Sequence, residues 1–272
     1  MTSKTPRHET EETIQTRVYG DPSLPTLIYL PGLHGDWTLV SSFRAAVKDK
    51  VRFVEFTYPR TVSWALEDYA RAVLQALKAN GIHSGWLLGE SFSSQVAWKI
   101  IELTTTERDI GFEVPGLIFA GGFARYPIPT GVRFVRLVNR LMPASWMRLG
   151  LLIYASYARL RHRRAPETLV SVDEFIARRT EPDRQAILHR YGLILSSNAP
   201  EVACRCRVPT YALAGFVDPV VPWLWTLPWL RRHCPGFRDW RIIFNADHNV
   251  LATAPRKSAD QILRWMNEGR TK

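Results

Sequence analysis

Apolar runs rich in β-branched and aromatic residues recur along the chain at Thr26–Leu30, Val51–Tyr58, Trp86–Leu88, Leu117–Ala120, Tyr211–Ala214 and Arg241–Phe244, each ending near Gly, Pro or Asp. Short continuous runs bounded in this way predict strands buried on both faces. Between them the apolar positions switch to helical spacing, most clearly over Ser63–Lys78, Ser93–Leu103 and Ser258–Asn267, the last with Ser258 placed to cap its first turn. Strands alternating with helices predict an α/β fold: a mostly parallel central sheet flanked by helices, with functional groups gathered at the carboxyl ends of the strands. The alternation stops between Arg125 and Val208, where roughly 80 residues keep helical periodicity without a convincing strand. This stretch predicts a helical cap inserted over 126–207, set into a core domain formed by 1–125 and 208–272.

Composition adds a location for charge. The 272 residues, 46% of them hydrophobic, suffice for one substantial core. The net charge of +11 is uneven: between Arg125 and Ala165 eight further arginines occur (Arg133, Arg136, Arg140, Arg148, Arg159, Arg161, Arg163, Arg164) and no acidic residue. Arg133, Arg136 and Arg140 share one helix face, while Phe134, Leu137 and Leu141 can share another. A solvated basic face is the ordinary reading; the alternatives are an anionic membrane surface, an acidic carrier protein or a negatively charged substrate. No nucleic-acid module is recognisable, so nucleic acid is not an expected partner. Trp223, Trp225 and Trp229 suggest core packing, with an acyl pocket or a lipid interface as further uses.

Three cysteines, Cys204, Cys206 and Cys234, do not make a disulfide framework and suit a reducing compartment, so a cytoplasmic location is expected, peripheral to a membrane if the basic cap docks there. Cys204 and Cys206 lack the second ligand pair of a zinc site. The polar N-terminus through Thr16 has no apolar core of the secretory kind, and the longest apolar stretch, Leu149–Ala158, is about half of what spans a bilayer.

The candidate chemistry begins in Leu87-Leu88-Gly89-Glu90-Ser91-Phe92-Ser93, a strand-to-helix corner that lifts a serine hydroxyl clear of the backbone. Such a nucleophile needs a base, and the base an orienting carboxylate. His248 and Asp218 each follow a predicted strand, and the thirty positions separating them hold one helix and one strand. Asp239 and Asp247 are the substitutes for the acid. The oxyanion formed on attack needs two backbone donors, expected from Phe92 and from Leu33 in the loop Leu30-Pro31-Gly32-Leu33-His34-Gly35-Asp36. His34 lies in that loop, but its position suits a polar loop role better than a base.

These residues, in this order, resemble the α/β-hydrolase fold family over about Thr16 to Arg270: the corner around Ser91, the Pro31–Gly35 loop, Asp218 within Gly215–Pro222, and His248. The sequence departs from the family pattern at Pro31, where many members have histidine, at Ser93 and at Asp247, where they have glycine. The resemblance implies a mostly parallel sheet, a helical cap over the pocket, a Ser91–His248–Asp218 triad and no cofactor or metal. Serine at the nucleophile position disfavours halide displacement, which uses aspartate there. The expected function is hydrolysis of a carboxylic ester through an acyl-enzyme, with a small-molecule acyl ester as substrate. Alternatives are an esterase, thioesterase or acyltransferase acting on carrier-linked acyl chains, or a non-catalytic binding protein of the same fold.

Overall fold

The six apolar runs and one further N-terminal strand assemble into a sheet of seven strands among the described residues, in the order β1-β3-β2-β4-β5-β6-β7. The strands are β1 (Gln15–Tyr19), β2 (Thr26–Leu30), β3 (Arg52–Thr57), β4 (Trp86–Glu90), β5 (Leu117–Ala120), β6 (Thr210–Gly215) and β7 (Phe237–Ile243). Every neighbouring pair is parallel except β1 with β3, which run antiparallel from Gln15↔Thr57 to Tyr19↔Phe53. The computed structural model describes residues 13–141, 144–161, 166–177 and 180–269. The polar segment 1–12, together with Arg163 and Arg164, lies outside the described residues.

Alternation along the strands fills both faces. Leu27, Tyr29, Phe53 and Leu88 point to the side covered by α1 (Ser41–Val47), α10 (Val250–Thr253) and α11 (Pro255–Glu268), which bring Phe43, Leu251 and Trp265. Ile28, Leu30, Val54 and Leu87 point to the other, under α2 (Leu66–Ala79), α3 (Ser93–Thr106), α8 (Ala199–Arg205) and α9 (Trp223–His233). Two covered faces explain why the central strands read as unbroken apolar runs. The edge strands differ: β1 alternates between exposed and half-buried positions and β7 is exposed over much of its length. β1 therefore gives no apolar run in the sequence, and β7 begins four residues before the predicted Arg241.

Two helix starts also differ from expectation. Ser258 caps nothing: α11 begins at Pro255, whose fixed φ and missing N–H suit a first helical position, and the Ser258 hydroxyl donates to the Val250 carbonyl at 3.1 Å. α2 begins at Leu66 rather than Ser63, with the Asp68 carboxylate accepting from the Ala65 N–H at 2.7 Å.

Between β5 and β6 the chain leaves the sheet and forms α4 (Pro129–Leu141), α5 (Ala144–Arg161), α6 (Pro166–Ala177), α7 (Glu181–Leu195) and α8. α4 packs on α7, α5 on α6, and α6 on α1 and the short turn at Thr38–Val40 after β2, whereas α8 returns to the sheet face against α3 and α9. Among the described residues no helix is long and apolar enough to cross a membrane.

Among the described residues Trp98 and Trp265 are the largest fully buried side chains, one on each side of the sheet. Trp98 is fully buried, its ring 5.0 Å from that of Phe119, and its indole N–H donates to the Phe123 carbonyl at 3.3 Å. Trp98→Ala is expected to cost about 3–5 kcal/mol, read as a fall in the urea unfolding midpoint at unchanged slope. A loss below about 1 kcal/mol would contradict this packing.

Candidate active site

The site forms where strand order reverses. The chain lays β3 on one side of β2 and returns to lay β4 on the other, so the loops leaving β2 and β4 face each other across a crevice. β4 ends at Glu90, α3 starts at Ser93, and between them Ser91 adopts φ +48°. A left-handed backbone costs a non-glycine residue roughly 1–2 kcal/mol. Three hydrogen bonds hold it there: Ser91 N–H to the Ala120 carbonyl at 3.0 Å, Ser94 N–H to the Ser91 carbonyl at 3.0 Å, and the Ser94 hydroxyl to that same carbonyl at 2.7 Å. At Gly89 a Cβ would stand 3.0 Å from the Ser93 carbonyl oxygen, so a side chain there would push the helix off the strand.

Ser93, where the family pattern has glycine, has a definite use. Its buried hydroxyl donates to the Pro31 carbonyl and accepts from Tyr58 Oη at 2.8 Å, tying the corner to the loop after β2. Burial pushes the Tyr58 phenol up, which keeps it protonated as the donor.

Asp218 follows β6 and His248 follows β7. The loop carrying His248 crosses back over the end of β5, where Gly121, at φ +60°, leaves room; a Cβ would lie 3.1 Å from the His248 carbonyl and 3.2 Å from its ring. His248 Nδ1 lies 2.8 Å from Asp218 Oδ2, and Nε2 lies 2.8 Å from Ser91 Oγ. A carboxylate only accepts, so Nδ1 carries the proton and Nε2 is left to accept from the serine hydroxyl. The other Asp218 oxygen accepts from the N–H groups of Val220 (2.8 Å) and Val221 (2.9 Å), which fixes the carboxylate. Burial opposes a charge on His248, yet the Asp218 bond and charge, with Glu90 and Asp247 adding to them, hold its pKa above the ordinary value. Asp239 instead accepts from the Trp265 indole at 2.9 Å, and Asp247 from the Asn249 N–H at 2.9 Å.

Phe92 and Leu33 also lie at this crevice. Phe92 stands at the N-terminus of α3, where N–H groups have no partner within the helix, and its ring is buried. Leu33 sits in a turn closed by the Gly35 N–H donating to the Gly32 carbonyl at 2.9 Å. His34 takes a loop role: its ring meets Phe175 of α6 edge-on, and its Nε2 lies 4.0 Å from buried Glu90.

Sequence reasoning missed Arg190. This arginine of α7 is 1% exposed, donating to the Leu33 carbonyl at 2.7 Å and the Pro59 carbonyl at 3.1 Å, with its guanidinium 5.7 Å from the ring centroids of Tyr58 and Tyr69. Gly35, at φ +78°, admits it; a Cβ there would lie 2.4 Å from Arg190 Nη1. Both peptide units flanking Leu33 are thus held, one by Gly35 and one by Arg190. The available signal was spacing: Arg190 is in phase with buried Asp183 and Ala186 along α7. Arg190→Met is expected to lower stability by roughly 1–3 kcal/mol, because it leaves buried carbonyls without a donor. Chemical unfolding measures this, and an unchanged midpoint would contradict the clamp.

No protein-family model and no curated protein sequence matches the chain. Solved structures do. A hydrolase from Pseudomonas aeruginosa PA01 shares 16% identity over 93% of this chain and 94% of that chain, with a TM-score of 0.74. A thermophilic esterase from Thermogutta terrifontis shares 19% identity over 94% of this chain and 93% of its own, at 0.70. An enol-lactonase from Burkholderia xenovorans LB400 shares 16% identity over 95% and 96%, at 0.69. At such identities the likeness is one of fold.

Proposed function

We propose that this chain, which has the α/β-hydrolase fold, is a serine hydrolase that cleaves carboxylic esters through an acyl-enzyme. One observation carries the reading: Ser91 Oγ, His248 and Asp218 stand in hydrogen-bonding sequence, with the serine on a left-handed corner at the sheet's switch point. The hydrolase, esterase and lactonase among its structural neighbours agree with it.

The steps follow from the donors and acceptors. His248 Nε2 accepts the Ser91 hydroxyl proton as Oγ attacks the ester carbonyl. The Leu33 and Phe92 N–H groups bind the oxyanion, and Asp218 stabilises the imidazolium. Collapse breaks the bond to the alcohol, which leaves with the proton from Nε2. Water, deprotonated by the same nitrogen, then attacks the acyl carbon and releases the acid and Ser91. Arg190 acts as a positioning residue, because it holds the Leu33 carbonyl and so limits rotation of the donor on the other side of that residue.

Steady-state kinetics on soluble short-chain esters test this. Ser91→Ala is expected to remove nearly all turnover, and Asp218→Asn to lower kcat by about 10⁴-fold with the fold retained. Since His248 must be neutral to accept a proton and its pKa is raised, kcat/KM should climb with pH through a midpoint above 6.5. Asp218→Asn removes the negative charge and should move that midpoint down. Ester turnover by Ser91→Ala equal to that of the parent would rule the mechanism out.

A further inference from the structure

Two of the inserted helices carry rows of large apolar side chains that face water. On α4, Phe134, Leu137 and Leu141 fall at i, i+3 and i+7 and are 66%, 52% and 74% exposed, while Val132 points inward and is buried. On α5, Leu149, Leu152, Ile153 and Leu160 fall on one side of the helix and are 49% to 73% exposed, while Ala155, further round, is buried. The usual amphipathic arrangement buries the apolar stripe. Each of the two helices thus turns a row of large apolar side chains to water, a kind of surface that water-facing proteins rarely leave uncovered.

We infer that this surface seats the protein on an anionic lipid bilayer, with α4 and α5 lying in the headgroup plane. Charge favours that occupant. Arg133 and Arg140 run along α4 beside its apolar stripe, so the side chains of one face enter acyl chains while these guanidiniums reach lipid phosphates; Arg136 lies against Gly192 of α7 instead. The whole segment from Arg125 to Ala165 contains no acidic residue. A second copy of the chain covering this face by two-fold symmetry would bring these arginine rows against each other. An acidic protein would match the arginines alone and would also have to offer apolar cover for two helices. The apolar surface continues toward the candidate site: Ile128, immediately before α4, and Trp225, 59% exposed on α9, line one cleft of about 380 Å³ with Arg125, Pro127 and Trp229. Tyr126 in the same segment donates to the Val220 carbonyl at 2.6 Å, two residues beyond Asp218. An ester drawn from the bilayer would meet this cleft first, a consequence that rests on the hydrolase reading; the binding itself does not.

The test is co-sedimentation of the full chain, carrying Ser91→Ala so that lipid turnover plays no part, with phosphatidylcholine vesicles containing about 30% phosphatidylserine or none. Binding is expected to the anionic vesicles at low salt and to weaken at least tenfold above roughly 0.3 M salt, where charges are screened. Leu137→Glu with Ile153→Glu should abolish pelleting at an unchanged melting midpoint, and the same pair placed in the Ser91-containing parent should leave hydrolysis of soluble esters intact. Three results overturn the inference: no pelleting with anionic vesicles at low salt, undiminished pelleting of the double variant, or a dimer or acidic-carrier complex that the double variant dissolves while vesicle binding stays absent. Loss of ester turnover in the parent would count against the proposed hydrolase and leave vesicle binding unaffected.

Discussion

The left-handed backbone at Ser91 is the constraint around which the site is arranged. A strand entering a helix without that turn would leave the serine side chain along the helix surface and the α3 N–H groups aimed away from it. The turn costs roughly 1–2 kcal/mol, and the hydrogen bonds to Ala120 and Ser94, each contributing about 0.5–1.5 kcal/mol net, offset it. Those bonds reach a neighbouring strand and the first turn of a buried helix, so the corner is held by the sheet itself. Register then brings the other parts within range: Leu30 pairs beside Gly89 and Glu90 beside Ala120, which sets the loops after β2, β4 and β5 at one level.

The sheet and the inserted helices divide the work. The loops after β4, β6 and β7 present the hydroxyl, carboxylate and imidazole; the N–H groups of Val220 and Val221 fix the carboxylate, and the carboxylate in turn holds the imidazole. The insertion reaches down to the same crevice at two places, through Arg190 on the Leu33 carbonyl and Phe175 against His34. Its other side is apolar and cationic. The same segment that touches the crevice through Arg190 and Phe175 exposes Phe134 and Ile153 on its other side.

The interior of the fold was legible in the sequence because burial on both faces writes itself as apolar runs: Thr26–Leu30 and Leu117–Ala120 match their strands to the residue. Ser91, Asp218 and His248, which the structure brings into hydrogen-bonding contact, each follow such a run. The edges were not legible. In β1 and β7 half the positions face water, and Gln15-Thr16-Arg17 or Arg238-Asp239 carries no apolar signal. Ser258 misled because a serine before an apolar stretch suits a cap, whereas Pro255 already supplied the start. Arg190 stayed hidden for a different reason: its partners, Leu33 and Pro59, are far away in the chain, and a lone arginine in a helix reads as solvated until the fold buries it. Cys206 and Cys204 likewise separate only in space, one buried and the other exposed.

A fluorophosphonate reacts with a serine only where a base activates it, independently of the natural substrate. Incubating the folded chain with such a probe and mapping the modified peptide by mass spectrometry should place a single adduct on Ser91, with none formed in His248→Ala. An unmodified Ser91 in protein of native circular dichroism, or an adduct that persists equally in His248→Ala, would contradict an alcohol activated by the imidazole beside it.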